Sequence, residues 1–247
     1  MKNDSLGDRM KGYEHISRIL LTRRMPLIIR VDGKAFHSLT KKMDKPYDIT
    51  FSHCMMRTAR FLLENIMGAK LAYVQSDEIS VLLTDYDSLS TEPWFQKNIQ
   101  KIVSVSASMA TMKFNELYRT HVHSSKKVKD YGLFDSRVFV IPKEEVCNYF
   151  IFRQQDAVRN SIQGLGQAHF SHKELQGKSC NAIQDMLMVD KKINWNDISP
   201  YFKRGGCFYR NLSIDTDENT NNVVTDVAPP TFTQDRDYIE KYLFLEK

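Results

Sequence analysis

Two aspartates stand at the ends of apolar runs. Asp32 follows Leu27-Ile28-Ile29-Arg30-Val31, and Asp77 sits between Leu71-Ala72-Tyr73-Val74-Gln75 and Ile79-Ser80-Val81-Leu82-Leu83. Carboxylates presented along one sheet edge suit the divalent ions of phosphoryl and nucleotidyl transfer. That chemistry asks a protein for charge neutralisation and positioning more than for covalent help. Two ions about 4 Å apart stabilise both the attacking and the leaving oxygen. Magnesium takes oxygen ligands and keeps some water, so two or three carboxylates suffice. Asp32 and Asp77 are therefore the candidate catalytic, metal-binding pair. Glu78 points away from Asp77 if the strand period holds, or becomes a further ligand if the tip is tight. The next segment, Gly33-Lys34-Ala35-Phe36-His37, is a glycine turn followed by backbone N–H groups able to cradle a triphosphate. Lys45 and Ser76 could add side-chain contacts. A plainer reading makes Asp32-Gly33 a turn and Ser76-Asp77-Glu78 a polar hairpin tip. There is no Walker motif, and composition alone does not name the reaction.

The elements that position these groups follow from periodicity. Ser5 caps a first helix reaching about Leu21, and Pro26 sets off a buried strand over 27–31. Phe51, Met55, Thr58, Leu62 and Ile66 recur at helical spacing, giving an amphipathic helix over 50–67 that Gly68 stops. The apolar runs at 71–75 and 79–83 form a hairpin around a three-residue tip, Ser76 to Glu78. A long helix covers 94–118, and its small residues from Ser104 to Ala110 permit close approach to a sheet. Phe134-Asp135-Ser136-Arg137 leads into a strand at 138–141, closed by Pro142. Strand, helix, hairpin, helix, strand implies an α+β fold, an antiparallel sheet with helices on one face. The remainder is more helical. It has a segment at about 153–168 and a capping box, Ser171-x-x-Glu174, opening a helix toward Leu187. A loop rich in Asn, Thr and Asp follows at 211–230, then a tail, Tyr238 to Leu245, that docks back. A boundary near Asp135 divides the chain into 1–135 and 136–247.

At 247 residues, 42% hydrophobic and 26% charged, the chain is of ordinary globular type, with enough length for a proper core. No window approaches the roughly 20 apolar residues of a membrane span, so no membrane partner is expected. Nor is a secretory or transit leader. The four cysteines, Cys54, Cys147, Cys180 and Cys207, are scattered, which argues against a disulfide framework or a zinc site. The expectation is cytoplasmic, with a mitochondrial location open for a eukaryotic source. Residues 1–45 hold eleven Lys and Arg against five Asp and Glu. A second basic stretch runs through Arg119, Lys126, Lys127 and Lys129, with His121 and His123. Such stretches suit a phosphate-rich partner or a solvated surface. His121-x-His123 and His169-x-x-His172 lack a third ligand nearby.

Several ordered motifs then carry a resemblance. Asp8-Arg9-Met10-Lys11-Gly12-Tyr13-Glu14, Arg30-Val31-Asp32-Gly33-Lys34-Ala35-Phe36-His37, Lys45-Pro46-Tyr47-Asp48, Tyr73-Val74-Gln75-Ser76-Asp77-Glu78, Phe134-Asp135-Ser136-Arg137-Val138 and Arg153-Gln154-Gln155-Asp156 together resemble the tRNA-histidine guanylyltransferase family. The resemblance implies a polymerase-palm-like domain and two magnesium ions. It also implies ATP, GTP and other nucleoside triphosphates as substrates, tRNA as partner, 3′-to-5′ addition of nucleotides, and usually a homotetramer. Carried over by position, Asp32 and Asp77 are metal-binding, with the Gly33 carbonyl, and Glu78 is an acid needed for activity. The triphosphate site is the backbone of Gly33, Lys34, Ala35, Phe36 and His37 with the side chains of His37, Lys45 and Ser76. Arg30, Arg137, Arg153, Asn160, Lys178, Lys203 and Arg204 are implied contacts to RNA or a second nucleotide. One stretch departs. Where the guanylyltransferases proper carry His-Ile-Asn-Asn-Leu-Tyr-Asn, this chain has Val158-Arg159-Asn160-Ser161-Ile162-Gln163-Gly164. Its Ser171-His172-Lys173-Glu174-Leu175-Gln176-Gly177-Lys178 is similar to the guanylyltransferase-like branch, which is associated with templated repair of 5′-truncated tRNA. The alternatives are a dedicated tRNA-histidine guanylyltransferase, a nucleotidyl cyclase with similar metal acids, and a non-catalytic RNA-binding protein.

Overall fold

The structure, a computed structural model, is described for residues 5–121, 131–211 and 223–244. His123, Lys126, Lys127, Lys129, the loop over 212–222 and Leu245 lie outside the described residues, as does the side chain of His121. Ser5 caps α1 (Leu6–Ile16), accepting from the Asp8 N–H, but the helix stops short of Leu21. There the Leu21 N–H donates to the Lys97 carbonyl and the Ile99 N–H to the Ile19 carbonyl, so extended pairing wins over helix. β1 (Leu27–Gly33) runs two residues further than periodicity indicated. It is followed by a short α2 (Phe36–Thr40) that the sequence did not announce.

Asp48 caps α3 (Ile49–Asn65), whose buried stripe includes Phe51, Met55, Thr58 and Leu62, as expected. The hairpin is β2 (Ala69–Gln75) and β3 (Glu78–Leu83). The next helix, α4 (Ile99–His121), starts later than expected. Phe95, Gln96 and Lys97 take positive φ values of 48°, 54° and 58°. This strained turn is held by the buried Lys97 ammonium, which donates to the Thr22 and Met25 carbonyls and to Asp85. β4 (Phe134–Val140) follows, and Ser106 of α4 hydrogen-bonds Ser136 of β4 at 2.8 Å.

Pro142 ends this strand and precedes α5 (Lys143–His169), which begins ten residues ahead of the expected segment. The buried polar residues Arg153 and Gln154 interrupt its apolar period. The capping box at Ser171 forms, but the helix it opens, α6 (His172–Leu175), ends at once. Gly177 takes φ 73°, and Ser179 caps a separate α7 (Cys180–Lys191). After α8 (Pro200–Arg204) come β5 (Gly206–Arg210), β6 (Val223–Asp226) and α9 (Asp237–Glu240).

The strands form one antiparallel sheet in the order β4-β1-β3-β2-β5-β6. Strand alternation sorts its faces. Leu27, Ile29, Val31, Ile79 and Val81 pack with the side chains of α3 and α4. Ile28, Leu71, Tyr73 and Leu82 pack with Val146, Cys147 and Phe150 of α5 and with Ile239, Tyr242 and Leu243 of the docked tail. The fold is α+β. One helical layer belongs to the first half of the chain, and the C-terminal half covers the opposite face. Asp135 lies within β4, and the second half also supplies β5 and β6. No described helix is long and apolar enough to cross a membrane.

Candidate active site

Register brings the acids together. Asp32 pairs with Glu78 across β1 and β3, and Gln75 pairs with Glu78 across the hairpin. The tip is therefore two residues, Ser76 and Asp77, rather than three. Ser76 takes φ 49° to turn it, and the Gly33 N–H donates to the Asp77 carbonyl at 3.1 Å. That bond pins the end of β1 to the hairpin tip. The Asp77 carboxyl is raised above its usual range, chiefly by burial and further by the Asp32 charge. Hydrogen bonds from its own N–H and from Ser76, and the Arg30 charge, pull the other way. A cation would relieve this repulsion. Among the described residues no group of three or more His, Cys, Asp or Glu surrounds a metal position. The available donors are two carboxylates beside the Gly33 carbonyl, which fit a hard ion that keeps waters and accepts phosphate oxygens.

Glu78 is turned away from solvent. Its Oε2 accepts from Arg153 at 3.0 Å and forms an ion pair with Arg30 at 2.8 Å, with both Glu78 and Arg153 side chains about 5% exposed. Arg30 also reaches Asp32 at 3.2 Å, and Arg137 lies 3.8 Å from Asp32 and 3.2 Å from Asp135. Burial raises the Glu78 carboxyl despite the charges of Arg153 and Arg30. Glu78 Oε1, Arg30 Nε and Arg153 Nε are buried without hydrogen-bond partners. The tight-tip alternative, Glu78 as a further ligand, is thus corrected: the two guanidiniums hold it. The implied RNA contact at Arg153 is corrected as well, because that guanidinium is buried against Glu78 and lies 3.5 Å from Asp156.

The phosphate cradle is smaller than expected. Gly33 and Lys34 donate their N–H groups to Asp77 and Leu133, because β1 and its pairing continue through this point. Ala35, at φ 55°, and the first turn of α2 have no side-chain cap, leaving the early N–H groups without intrahelical partners. Phe36 is buried against Phe51, Phe114 and Phe134, so it offers only its backbone. Lys34, His37 and Lys45 are exposed.

Beside the tip opens a cavity of about 230 Å³, lined by Lys45, Tyr47, Ser76, Asn160, Gly164 and Phe202 among others. Tyr47 stacks on Phe202 with centroids 4.5 Å apart and planes 8° from parallel. Tyr47 also donates to the Ser161 carbonyl at 3.2 Å, while Ser161 Oγ accepts from Trp195 at 2.8 Å. Sequence reasoning missed Phe202, Gly164 and the stack, for no local pattern links residues so far apart. The implied contacts Lys203 and Arg204 are tied to backbone carbonyls, of Asn196 at 2.6 Å and Pro229 at 2.7 Å. Lys178 lines a separate groove.

Comparison with known proteins follows the same line. The family model for tRNAHis guanylyltransferase matches residues 7–142. The tRNA(His) guanylyltransferase of Debaryomyces hansenii is 30% identical over 200 residues, covering 74% of this chain and 73% of that one. A bacterial tRNA(His) guanylyltransferase (Thg1)-like protein solved in complex with ATP superposes with a TM-score of 0.89 at 47% identity, covering 98% of this chain and 100% of the other. One solved in complex with GTP gives a TM-score of 0.80 at 43% identity, with the same coverage.

Proposed function

The chain belongs to the tRNAHis guanylyltransferase family and is a nucleotidyltransferase, and from that premise we propose that it extends tRNA 5′ ends in the 3′-to-5′ direction, choosing each nucleotide by pairing to the opposite strand. A 5′-monophosphate oxygen attacks the α-phosphorus of ATP, and pyrophosphate leaves. The 3′-hydroxyl of an incoming nucleoside triphosphate then attacks the activated 5′-phosphorus, and AMP leaves. The new end carries its own triphosphate, so a further addition can expel pyrophosphate without ATP. The solved relatives contain ATP and GTP, and both are carried over as substrates. Asp32, Asp77 and the Gly33 carbonyl would hold magnesium, which neutralises charge on the attacking and leaving oxygens. Lys45, His37, Ser76 and the free N–H groups from Ala35 to His37 meet the triphosphate. Arg30 and Arg137 attract the phosphate of the RNA end, and Glu78 with Arg153 keeps Arg30 in place.

The cavity lining carries the templated reading. Gly164 contributes no side chain, and a Cβ added there would meet nothing within 4 Å. The Asp48 carboxylate, a group able to read guanine donors, is already engaged by the N–H groups of Phe51 at 2.8 Å and Asp44 at 3.2 Å. A site with room and few committed base readers favours selection by Watson–Crick pairing. The test uses tRNA-histidine and a second tRNA, each lacking one 5′ nucleotide, with the opposing base varied. Both should be extended by the complementary nucleotide. Addition of G whatever the opposing base, or only to tRNA-histidine, would instead establish a dedicated guanylyltransferase.

A further inference from the structure

Between α5, α6 and α7 lies a groove of about 510 Å³. Its surroundings separate into residues the fold requires and residues it does not. Ser171 and Glu174 form the capping box, Gly177 takes a left-handed turn at φ 73°, and Ser179 caps α7. Leu175 packs on a small core of Ile162, Leu165, Ile183 and Leu187. That leaves His172, Gln176 and Lys178, all exposed and all lining the groove, opposite Gln163 and Gln167 of α5. Phe170 contributes to the floor, with the Lys191 ammonium 5.2 Å from its ring centroid. No acidic residue lines the groove.

The groove lies along the same helix, α5, as the cavity beside the hairpin tip. Asn160, Gln163 and Gln167 follow an i, i+3, i+7 spacing along one face of α5. Asn160 lines the cavity beside Ser76, and Gln167 lies about 10 Å further along the helix axis at 1.5 Å per residue.

We propose that this groove holds the minor-groove side of the tRNA stem that leads away from the reacting 5′ end. The inference rests on the tRNA reading above. Duplex RNA displays 2′-hydroxyls and base edges in a wide, shallow minor groove. A 2′-hydroxyl both donates and accepts, as a glutamine amide does, and three such amides converge here. Lys178, with no acid among the lining residues, matches a flanking phosphate. An acidic peptide could satisfy the cations, but it would leave the glutamines without the hydroxyl ladder that their spacing suits.

The test measures binding of a 5′-truncated tRNA across a salt series, then of its stem as an RNA hairpin and as the same hairpin with 2′-deoxy sugars. The proteins are wild type, Lys178→Ala and the pair Gln163→Ala with Gln167→Ala. Melting temperatures should stay level, since all three positions are exposed. Lys178→Ala should weaken tRNA binding about tenfold and lower the slope of log K against log salt by about one. The glutamine pair should cut the preference for ribose over deoxyribose stems by about threefold or more. Unchanged affinity, slope and sugar preference, with a wild type that binds and extends tRNA, would overturn the groove alone. A wild type that neither binds nor extends tRNA would overturn the tRNA reading and the groove with it.

Discussion

Asp77 holds its proton more tightly than a free aspartate, chiefly because it is buried and further because Asp32 is near, and the proposed magnesium site would offset both. Asp32→Ala and Asp77→Ala should each lower the single-turnover rate at least about 100-fold, as loss of one oxyanion donor does. The double variant should be little worse than either single one, since the two act as a unit. Near-normal turnover in both single variants would remove the two-metal mechanism. Lys45 is exposed, so Lys45→Ala should raise the KM for nucleoside triphosphate without moving the melting temperature. Glu78 makes a different prediction. Its carboxyl is raised in the folded state, first by burial. The contribution of its protonated form to stability is therefore complete below the unfolded value of about 4.3 and is lost as pH climbs through the raised value. Glu78→Gln cannot ionise. In thermal melts without divalent ions, its Tm relative to wild type should rise with pH from about 4 upward, then level off. A constant difference would show that the two arginines balance burial, and one that falls with pH would show that they outweigh it.

At the scale of elements, the cavity rim depends on how α8 meets the sheet. Gly205 ends α8 at φ 80° and ψ −171°, a region that only glycine occupies readily. A Cβ added there would stand 2.5 Å from the Val74 carbonyl, in the strand that leads to Ser76. Gly205→Ala should cost about 1–3 kcal/mol from the backbone alone and lower Tm by at least about 2 °C. An unshifted Tm would mean that α8 can move away from β2 freely. The elements differ in how far local rules foretold them. α3 and the strands of the hairpin were legible because apolar periodicity and caps act within a few residues. The start of α5 was not. Its buried Arg153 and Gln154 look like a solvated face until the partners Glu78, at 3.0 Å, and the Phe232 N–H, at 2.9 Å, are in view. The left-handed turn at Phe95 to Lys97 had no local signal either, because a buried ammonium bound to carbonyls distant in the chain holds it.

For the whole molecule, the sheet is closed on both faces while α1 has no buried residue. Leu6, Met10, Tyr13 and Ile16 are 66%, 47%, 71% and 82% exposed along that helix. The homotetramer expected from the family remains a proposal, and α1 is the element through which we expect copies to associate. Light scattering should give a four-chain mass for the wild type and a smaller one for a Tyr13→Ser, Ile16→Ser variant. Equal masses would remove α1 from the interface.

The sequence by itself determined the chemistry-bearing residues and their local settings. Asp32 and Asp77 end apolar strands, a glycine turn follows, and Ser5 and Ser171 cap helices. Strand period, capping and turn chemistry depend on neighbours a few residues away, so they can be read without the fold. Only the tertiary structure decided which polar groups were still free. It engaged the Lys34 N–H with Leu133 and buried Glu78 between Arg30 and Arg153. It stacked Tyr47 on Phe202 and set Lys178 among glutamines away from the acids. Those choices turn on burial and on register between distant segments, because a buried polar group must find its partner wherever the folded chain places one.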